Sequence, residues 1–281
     1  MSMSLHHALA RGAAELEGIT EQPRRDAELL LLGIVGRDRA FLLTHPDTQL
    51  TAEQQIQYYE WLRRRAGHEP IQYILGEQEF FGLAFAVTPD VLIPRPETEH
   101  LVEALLERVP HDRQLRIVDV GTGSGAIAAS LAHALPHAQV TALDISEAAL
   151  GVARRNAETH RVVERVRFLQ SDLLSAVAGE RFDAVVSNPP YVAEADRESL
   201  ESQVRDYEPA VALFGGLSGF DVYERLIPRA HEVLNSGGWL LMEMGLGQRN
   251  VLSRLLSGWD DVSFVDDLQR IPRVACARRK A

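Results

Sequence analysis

The chain has 281 residues, 46% hydrophobic and 25% charged, a balance that excludes a disordered or fibrous protein. Its 29 Lys and Arg against 40 Asp and Glu give a formal charge of −11, so bulk charge repels nucleic-acid phosphates unless the cations are gathered in one place. The longest apolar run, Leu29–Val35, is interrupted by Gly33 and far shorter than the roughly 20 residues a membrane span needs.

No apolar signal-peptide core follows Met1, and the lone cysteine, Cys276, rules out an intrachain disulfide or a thiolate metal cluster. A cytoplasmic protein is expected. Cys276 lies in an alternating stretch and reads as a buried strand residue. His6, His7, His45, His68, His100 and His231 form no ligand-spaced set with nearby carboxylates, so no metal is expected.

Residues 1–75 carry helical periodicity with almost no strand signal, as in Arg24–Val35, where Ala27, Leu30, Leu31 and Ile34 share a face. Thr51-Ala-Glu-Gln54 has the form of a capping box and opens a helix to about Ala66, with Ile56, Tyr59 and Leu62 as its expected apolar stripe. Arg63-Arg64-Arg65 closes that helix, where cations suit the macrodipole; the same run could also meet a polyanion.

Residues 76–96 read as a linker. The aromatic and β-branched residues around Gly82, from Gln78 to Thr88, predict a hairpin, and Pro89, Pro94 and Pro96 then bar regular structure until a helix can begin at Glu97. From residue 97 to 281 strand and helix patterns alternate. Strands are expected at Arg116–Val120, Gln139–Leu143, Arg165–Gln170, Ala184–Ser187 and Trp239–Met244. Helices are expected at Gly125–Leu135, at Ser146–Thr159 with Ser146 as N-cap, and at Gly219–Leu234. Such alternation gives a parallel α/β sheet, and the closing pair Val262–Val265 and Val274–Ala277 must be antiparallel for want of a crossover.

Between the first strand and first helix of this sheet lies Asp119-Val-Gly121-Thr122-Gly123-Ser124-Gly125-Ala126, with Asp144 23 residues after Gly121 at the next strand's end. Glycines suit a sharp turn that a ligand approaches closely, and an acid on the neighbouring loop can bond a ribose diol. Gly121-x-Gly123-x-x-Ala126 satisfies a dinucleotide fingerprint, while Gly121-x-Gly123-x-Gly125 after Asp119 equally fits the first motif of S-adenosylmethionine-dependent methyltransferases. The loop alone leaves both cofactors open.

The fourth strand ends in Asn188-Pro189-Pro190-Tyr191. Two prolines force the chain out of the sheet at its carboxyl edge, where ligands bind. Asn188 offers an acceptor and two donors in one plane, Pro189 a carbonyl, and Tyr191 a ring for a flat conjugated group. Together they suit a planar –NH2 nitrogen, whose hydrogens can point at the Asn188 side-chain oxygen and the Pro189 carbonyl. Hydride transfer has no evident use for such a loop, which makes an NAD-dependent oxidoreductase the lesser reading.

Asn188-Pro-Pro-Tyr191 with the glycine loop resembles the methyltransferases that act on planar nitrogens. Glu69-Pro-x-x-Tyr73-Ile-Leu-Gly76, Phe80-x-Gly82 and Leu92-Ile-Pro-Arg-Pro-Glu-Thr-Glu99 narrow this to the HemK/PrmC family, the protein-(glutamine-N5) methyltransferases of peptide chain release factors. Asp26-Ala-Glu28-Leu-Leu30, Asp144-Ile-Ser146, Glu208-Pro-x-x-Ala212 and Glu243-x-Gly245-x-x-Gln248 continue the resemblance over nearly the whole chain.

That resemblance implies a Rossmann-like class I methyltransferase sheet with an antiparallel last strand, over residues 97–281, preceded by a small helical substrate-recognition domain and the hairpin linker. It implies S-adenosylmethionine as cofactor, S-adenosylhomocysteine as product, a release factor as protein substrate, and a monomer without stable nucleic-acid binding or membrane attachment. It places the cofactor on Gly121, Thr122, Gly123, Ser124, Gly125, Asp144, Asp172, Leu173 and Asn188. The substrate glutamine falls to Asn188, Pro189, Pro190, Tyr191 and Arg95, with Asn188, Pro189 and Tyr191 carrying catalysis. Leu173 stands where relatives often have an aromatic, so an aliphatic wall replaces ring stacking on adenine. The remaining alternatives are a nucleic-acid adenine-N6 or guanine-N2 methyltransferase, which should show a basic groove, and a cofactor-binding protein without catalysis.

Overall fold

The computed structural model describes residues 3–280; the ends of the expected first and last domains, residues 1, 2 and 281, lie outside it. Two compact units divide the chain. One runs to Glu77 and takes in Glu201–Tyr207; the other holds Gln78–Leu200 and Glu208 onward.

In the N-terminal stretch of the first unit, apolar residues at helical spacing build five helices, α1 (Leu5–Glu15), α2 (Pro23–Val35), α3 (Arg39–Thr44), α4 (Ala52–Ala66) and α5 (Ile71–Leu75). Two short strands, β1 (Met3–Ser4) and β2 (Gln49–Leu50), pair antiparallel beside them. The core gathers Leu5, Leu16, Leu30, Leu31, Tyr58 and Leu62. Thr51 and Gln54 form the capping box that starts α4.

The inward face of α4 differs from the stripe expected at Ile56, Tyr59 and Leu62. Ile56 is 69% exposed, and the buried face is Tyr58, Leu62 and Arg65, spaced i, i+4, i+7. Polar partners select that face. The Tyr58 hydroxyl lies 3.2 Å from the carbonyls of both Ala8 and Ala27, and Arg65 pairs with buried Asp26 at 2.8 Å. Arg64 binds Glu69 through both its Nε and Nη2. Two of the three arginines that could have met a polyanion are thus bound within the unit.

The second unit opens with the expected hairpin, β3 (Glu77–Phe80) and β4 (Leu83–Ala86), then a 3-10 turn at Pro96–Thr98 leading into α6 (Glu99–Leu106). Strands and helices alternate next through β5 (Arg116–Val120), α7 (Ala126–Ala134), β6 (Gln139–Asp144), α8 (Glu147–Thr159) and β7 (Val166–Gln170), and β8 (Phe182–Ser187) follows β7 after a 3-10 turn at Ser175–Val177. The Ser146 hydroxyl caps α8 by accepting from the Ala149 N–H. After β8 the chain forms α9 (Ser202–Tyr207), which belongs to the first unit, and the second unit resumes with α10 (Ala210–Leu213), α11 (Asp221–Val233), β9 (Leu234–Glu243), α12 (Arg249–Leu255), β10 (Asp260–Asp266) and β11 (Pro272–Arg278).

The seven-stranded sheet runs β10-β11-β9-β8-β5-β6-β7. β7, β6, β5, β8 and β9 are parallel, and β11 inserts antiparallel to both β9 and β10. Strands buried on both faces account for the near-continuous apolar runs at Ile117–Val120 and Ala184–Ser187. The strand order reverses between β5 and β8, and their carboxyl ends flank the switch point where a crevice opens. Ser187 ties the two strands there by donating to the Val120 carbonyl at 2.7 Å.

Candidate active site

The loop after β5 is shaped by its backbone. The Gly121 and Thr122 N–H groups both donate to the Leu143 carbonyl at 2.8 Å, clamping the loop to the end of β6. Gly121, Gly123 and Gly125 all have left-handed backbone, φ 72°, 54° and 79°. Their surroundings separate them. A Cβ on Gly121 or Gly123 would meet nothing within 4 Å, whereas one on Gly125 would sit 2.9 Å from the Ala153 Cβ of α8. The first two glycines keep a cradle open; the third lets α7 and α8 approach.

A cleft of about 280 Å³ lies over this cradle. Gly121, Thr122, Gly123, Ser124, Asp144, Asp172, Leu173, Asn188 and Pro190 line it, closed by apolar walls such as Val91, Leu92, Ile145 and Val222. Its lining does not include Gly125, Pro189, Tyr191 or Arg95. Arg95 instead bonds the carboxylate of buried Glu208, which also accepts from the Ile93 N–H at 3.2 Å. That pairing fixes the proline-rich approach to α6.

Two acids line the glycine-loop end of the cleft. Asp144 accepts from the Gly123 N–H and the Ser146 N–H, each at 2.9 Å, while burial holds its pKa above the ordinary carboxylate value. Asp172, half exposed, is bound by Arg225 of α11, and its carbonyl accepts from Arg229 at 3.2 Å. Leu173 adopts left-handed backbone at φ 51°, a strained conformation for this residue that turns an aliphatic side chain into the wall. Behind the loop, fully buried Asp119 accepts from the Thr122 hydroxyl at 2.6 Å, and burial raises its pKa to about 7.

Several site residues carry no catalytic or binding role on sequence grounds, although the resemblance sets Glu97–Glu99 along the substrate side of the pocket. Asn156 of α8 donates to the Ser124 carbonyl at 2.8 Å and exchanges two hydrogen bonds with Ala86, joining glycine loop to hairpin. Beside the Asn-Pro-Pro-Tyr loop, Asn188 Nδ2 lies 3.1 Å from the Thr98 hydroxyl, which donates to Glu243 at the end of β9. The other Glu243 oxygen accepts from the Tyr191 hydroxyl at 3.2 Å, and Gln248 Nε2 donates to the Tyr191 carbonyl at 3.0 Å. Glu243 is 2% exposed, and burial raises its pKa to about 7. Thr98, Glu243 and Gln248 all fall inside motifs quoted above; the signal that could have singled them out is an acid and amide retained at the apolar end of a central strand.

The residues present fit an adenosine sulfonium: a cradle without Cβ atoms, an acid at the end of the neighbouring strand, and an aliphatic wall. A model of the methyltransferase small domain matches residues 97–204, and one of the PrmC N-terminal domain matches residues 7–76. Among solved structures, the T. thermophilus 16S rRNA N2 G1207 methyltransferase RsmC, in complex with AdoMet and guanosine, aligns over 73% of this chain and 50% of that one. Its TM-score is 0.54 at 22% identity, a likeness of fold. Fold and cleft define the class, a class I S-adenosylmethionine-dependent methyltransferase.

The release factor glutamine methyltransferase of Koribacter versatilis (strain Ellin345) is 47% identical over 99% of both chains. That of Escherichia coli (strain K12) is 41% identical over 98% of this chain and 99% of its own. The chain belongs to the release factor glutamine methyltransferase family. Among the described residues, no helix is long and apolar enough to cross a membrane.

Proposed function

We propose that this enzyme methylates the side-chain amide nitrogen of the glutamine in the Gly-Gly-Gln motif of peptide chain release factors. The observation that carries this reading is Asn188. It lines the same cleft as Gly121, Gly123 and Asp144, and its Nδ2 faces Thr98, which leaves Oδ1 to accept from a substrate N–H. S-adenosylmethionine, held by the glycine cradle, Asp144 and the Asp172–Leu173 wall, supplies an electrophilic methyl group.

An amide nitrogen is a poor nucleophile because its lone pair is delocalised into the carbonyl. Hydrogen bonds from its N–H groups to Asn188 Oδ1 and the Pro189 carbonyl favour pyramidalisation and fix the lone-pair direction. Positioning of this kind can supply roughly 7–11 kcal/mol of a barrier. Neither residue can take a proton, so they bind and orient while deprotonation falls to solvent. Tyr191 and Pro190 shape the loop around them, and Arg95 acts through Glu208. The helical unit contributes recognition of the protein substrate, with the chain acting as a monomer in the cytoplasm.

Incubation of the enzyme and S-adenosylmethionine with a release factor should add one methyl group to that glutamine by mass spectrometry, and DNA or RNA should take none. Asn188→Ala should keep cofactor affinity by calorimetry while losing most of kcat. Lost cofactor affinity with unchanged turnover of the remaining complex would remove Asn188 from the substrate site.

A further inference from the structure

We propose that Glu243 and Thr98 form a polar relay that sets which end of the Asn188 side-chain amide faces the substrate. The inference deepens the reading of the cleft as a glutamine site and rests on it. It starts from a chain of contacts no catalytic role yet uses: Glu243 Oε2 to Thr98 Oγ1 at 2.5 Å, and Thr98 Oγ1 to Asn188 Nδ2 at 3.1 Å.

An ionised carboxylate can only accept hydrogen bonds, so the single Thr98 proton must go to Glu243. The Thr98 lone pair that remains toward Asn188 can then only accept, which requires Asn188 to present its NH2 there. The Oδ1 arm is thereby turned the other way and offers the acceptor that a substrate –NH2 needs. Thr98 is 4% and Glu243 2% exposed, so water does not compete for these contacts.

Protonation of Glu243 on Oε2 reverses each step. The carboxyl donates to Thr98, the Thr98 hydroxyl donates toward Asn188, and the Asn188 amide gains by flipping. It would then aim an NH2 at the substrate's own NH2, a repulsive pairing. Thr98 lines the cleft and Glu243 lies behind it, but in this scheme both act through Asn188 and are positioning residues.

The groups facing Glu243 are Glu97 from the turn before α6, Tyr191 after β8, Tyr223 on α11 and Arg273 on β11. Glu97 favours the protonated form, and Arg273 opposes it while itself bound to Asp267 at 2.9 Å. Burial dominates and raises the Glu243 pKa to about 7, so the relay titrates near neutral pH.

The test compares Thr98→Val, Thr98→Ser and Glu243→Gln in the full-length enzyme. Thr98→Val, isosteric but unable to relay, should lower kcat for release-factor methylation about 100-fold with S-adenosylmethionine Kd unchanged. Thr98→Ser should restore most of the rate. Wild-type kcat should fall as pH drops below about 7, and Glu243→Gln should lose that limb; titration of Asp119, on the cofactor side, would be read in cofactor Kd instead. In side-chain amide NMR of the substrate-free enzyme, with Asn188 assigned by its absence in Asn188→Ala, Thr98→Val should shift the Asn188 NH2 signals and Thr98→Ser should keep them. Wild-type kcat in Thr98→Val, an intact acid limb in Glu243→Gln, or unmoved Asn188 signals would each overturn the relay. If the wild type methylates no release factor, the glutamine reading itself falls, and the NMR comparison still decides the relay.

Discussion

At the scale of single residues, the candidate site separates side chains that a motif lists together. Asp144 and Asp172 are both acids at strand ends, yet their bonding differs. Asp144 is held by two backbone N–H groups, an arrangement with no rotamer freedom left to lose on binding. Asp172 is held by two arginines on a neighbouring helix, at half exposure, where screening weakens the pair. Of the two acids, Asp144 is the one already fixed in place, which is the basis for proposing it as the ribose anchor. Asp144→Asn places an NH2 where one of the two N–H groups needs an acceptor and removes the charge that favours a ribose diol. Hydrogen bonds to charged groups contribute roughly 1.5–3 kcal/mol, so cofactor Kd should rise about 10- to 100-fold by calorimetry. A change below about twofold would place the ribose elsewhere.

At the scale of elements, the three glycines divide between ligand and packing. Gly125→Ala combines left-handed strain with a Cβ 2.9 Å from the Ala153 Cβ and 3.0 Å from its Cα. The two terms together predict a loss of about 2–4 kcal/mol, seen as a lower denaturation midpoint and partly relieved by Ala153→Gly. Gly123→Ala carries the strain alone, about 1–2 kcal/mol, and should chiefly reduce cofactor affinity because its Cβ points into open space. Helix and strand positions were legible because burial on one or two faces writes a period into the sequence. The capping box of α4, the hairpin and the antiparallel closing pair followed from local chemistry. The segment between β8 and α11 was not legible, since its short helices are set by non-periodic contacts, such as Arg95 with Glu208 and the bridge of Val192 to Phe214. The buried face of α4 was misread for the same reason: Arg65 counts as polar until Asp26, 39 residues earlier, is placed against it. Glu243 likewise looks like an ordinary acid at a strand end until the topology brings Thr98 to it.

At the scale of the whole molecule, two buried carboxyls give stability a pH dependence of definite sign. Asp119 and Glu243 have pKa values raised by burial to about 7, from 3.8 and 4.5 for the unburied groups. Between those limits the folded protein binds protons that the unfolded chain has released, so stability falls as pH rises and levels off above about 7. The acids Glu180, Asp206 and Asp267, whose pKa values are lowered by arginines or backbone N–H groups, act oppositely but only at lower pH. The net charge of −11 adds repulsion that also grows with pH. Comparing wild type with Glu243→Gln at each pH cancels these shared contributions. The amide keeps the volume and can still accept from Thr98, but it does not ionise. Its Tm relative to wild type should therefore increase steadily from pH 5 to about pH 7.5 and then hold, as scanning calorimetry would show. A constant difference over that range would mean that Glu243 ionises in the folded protein as it does in the unfolded chain, and its burial would then carry no proton-linked cost.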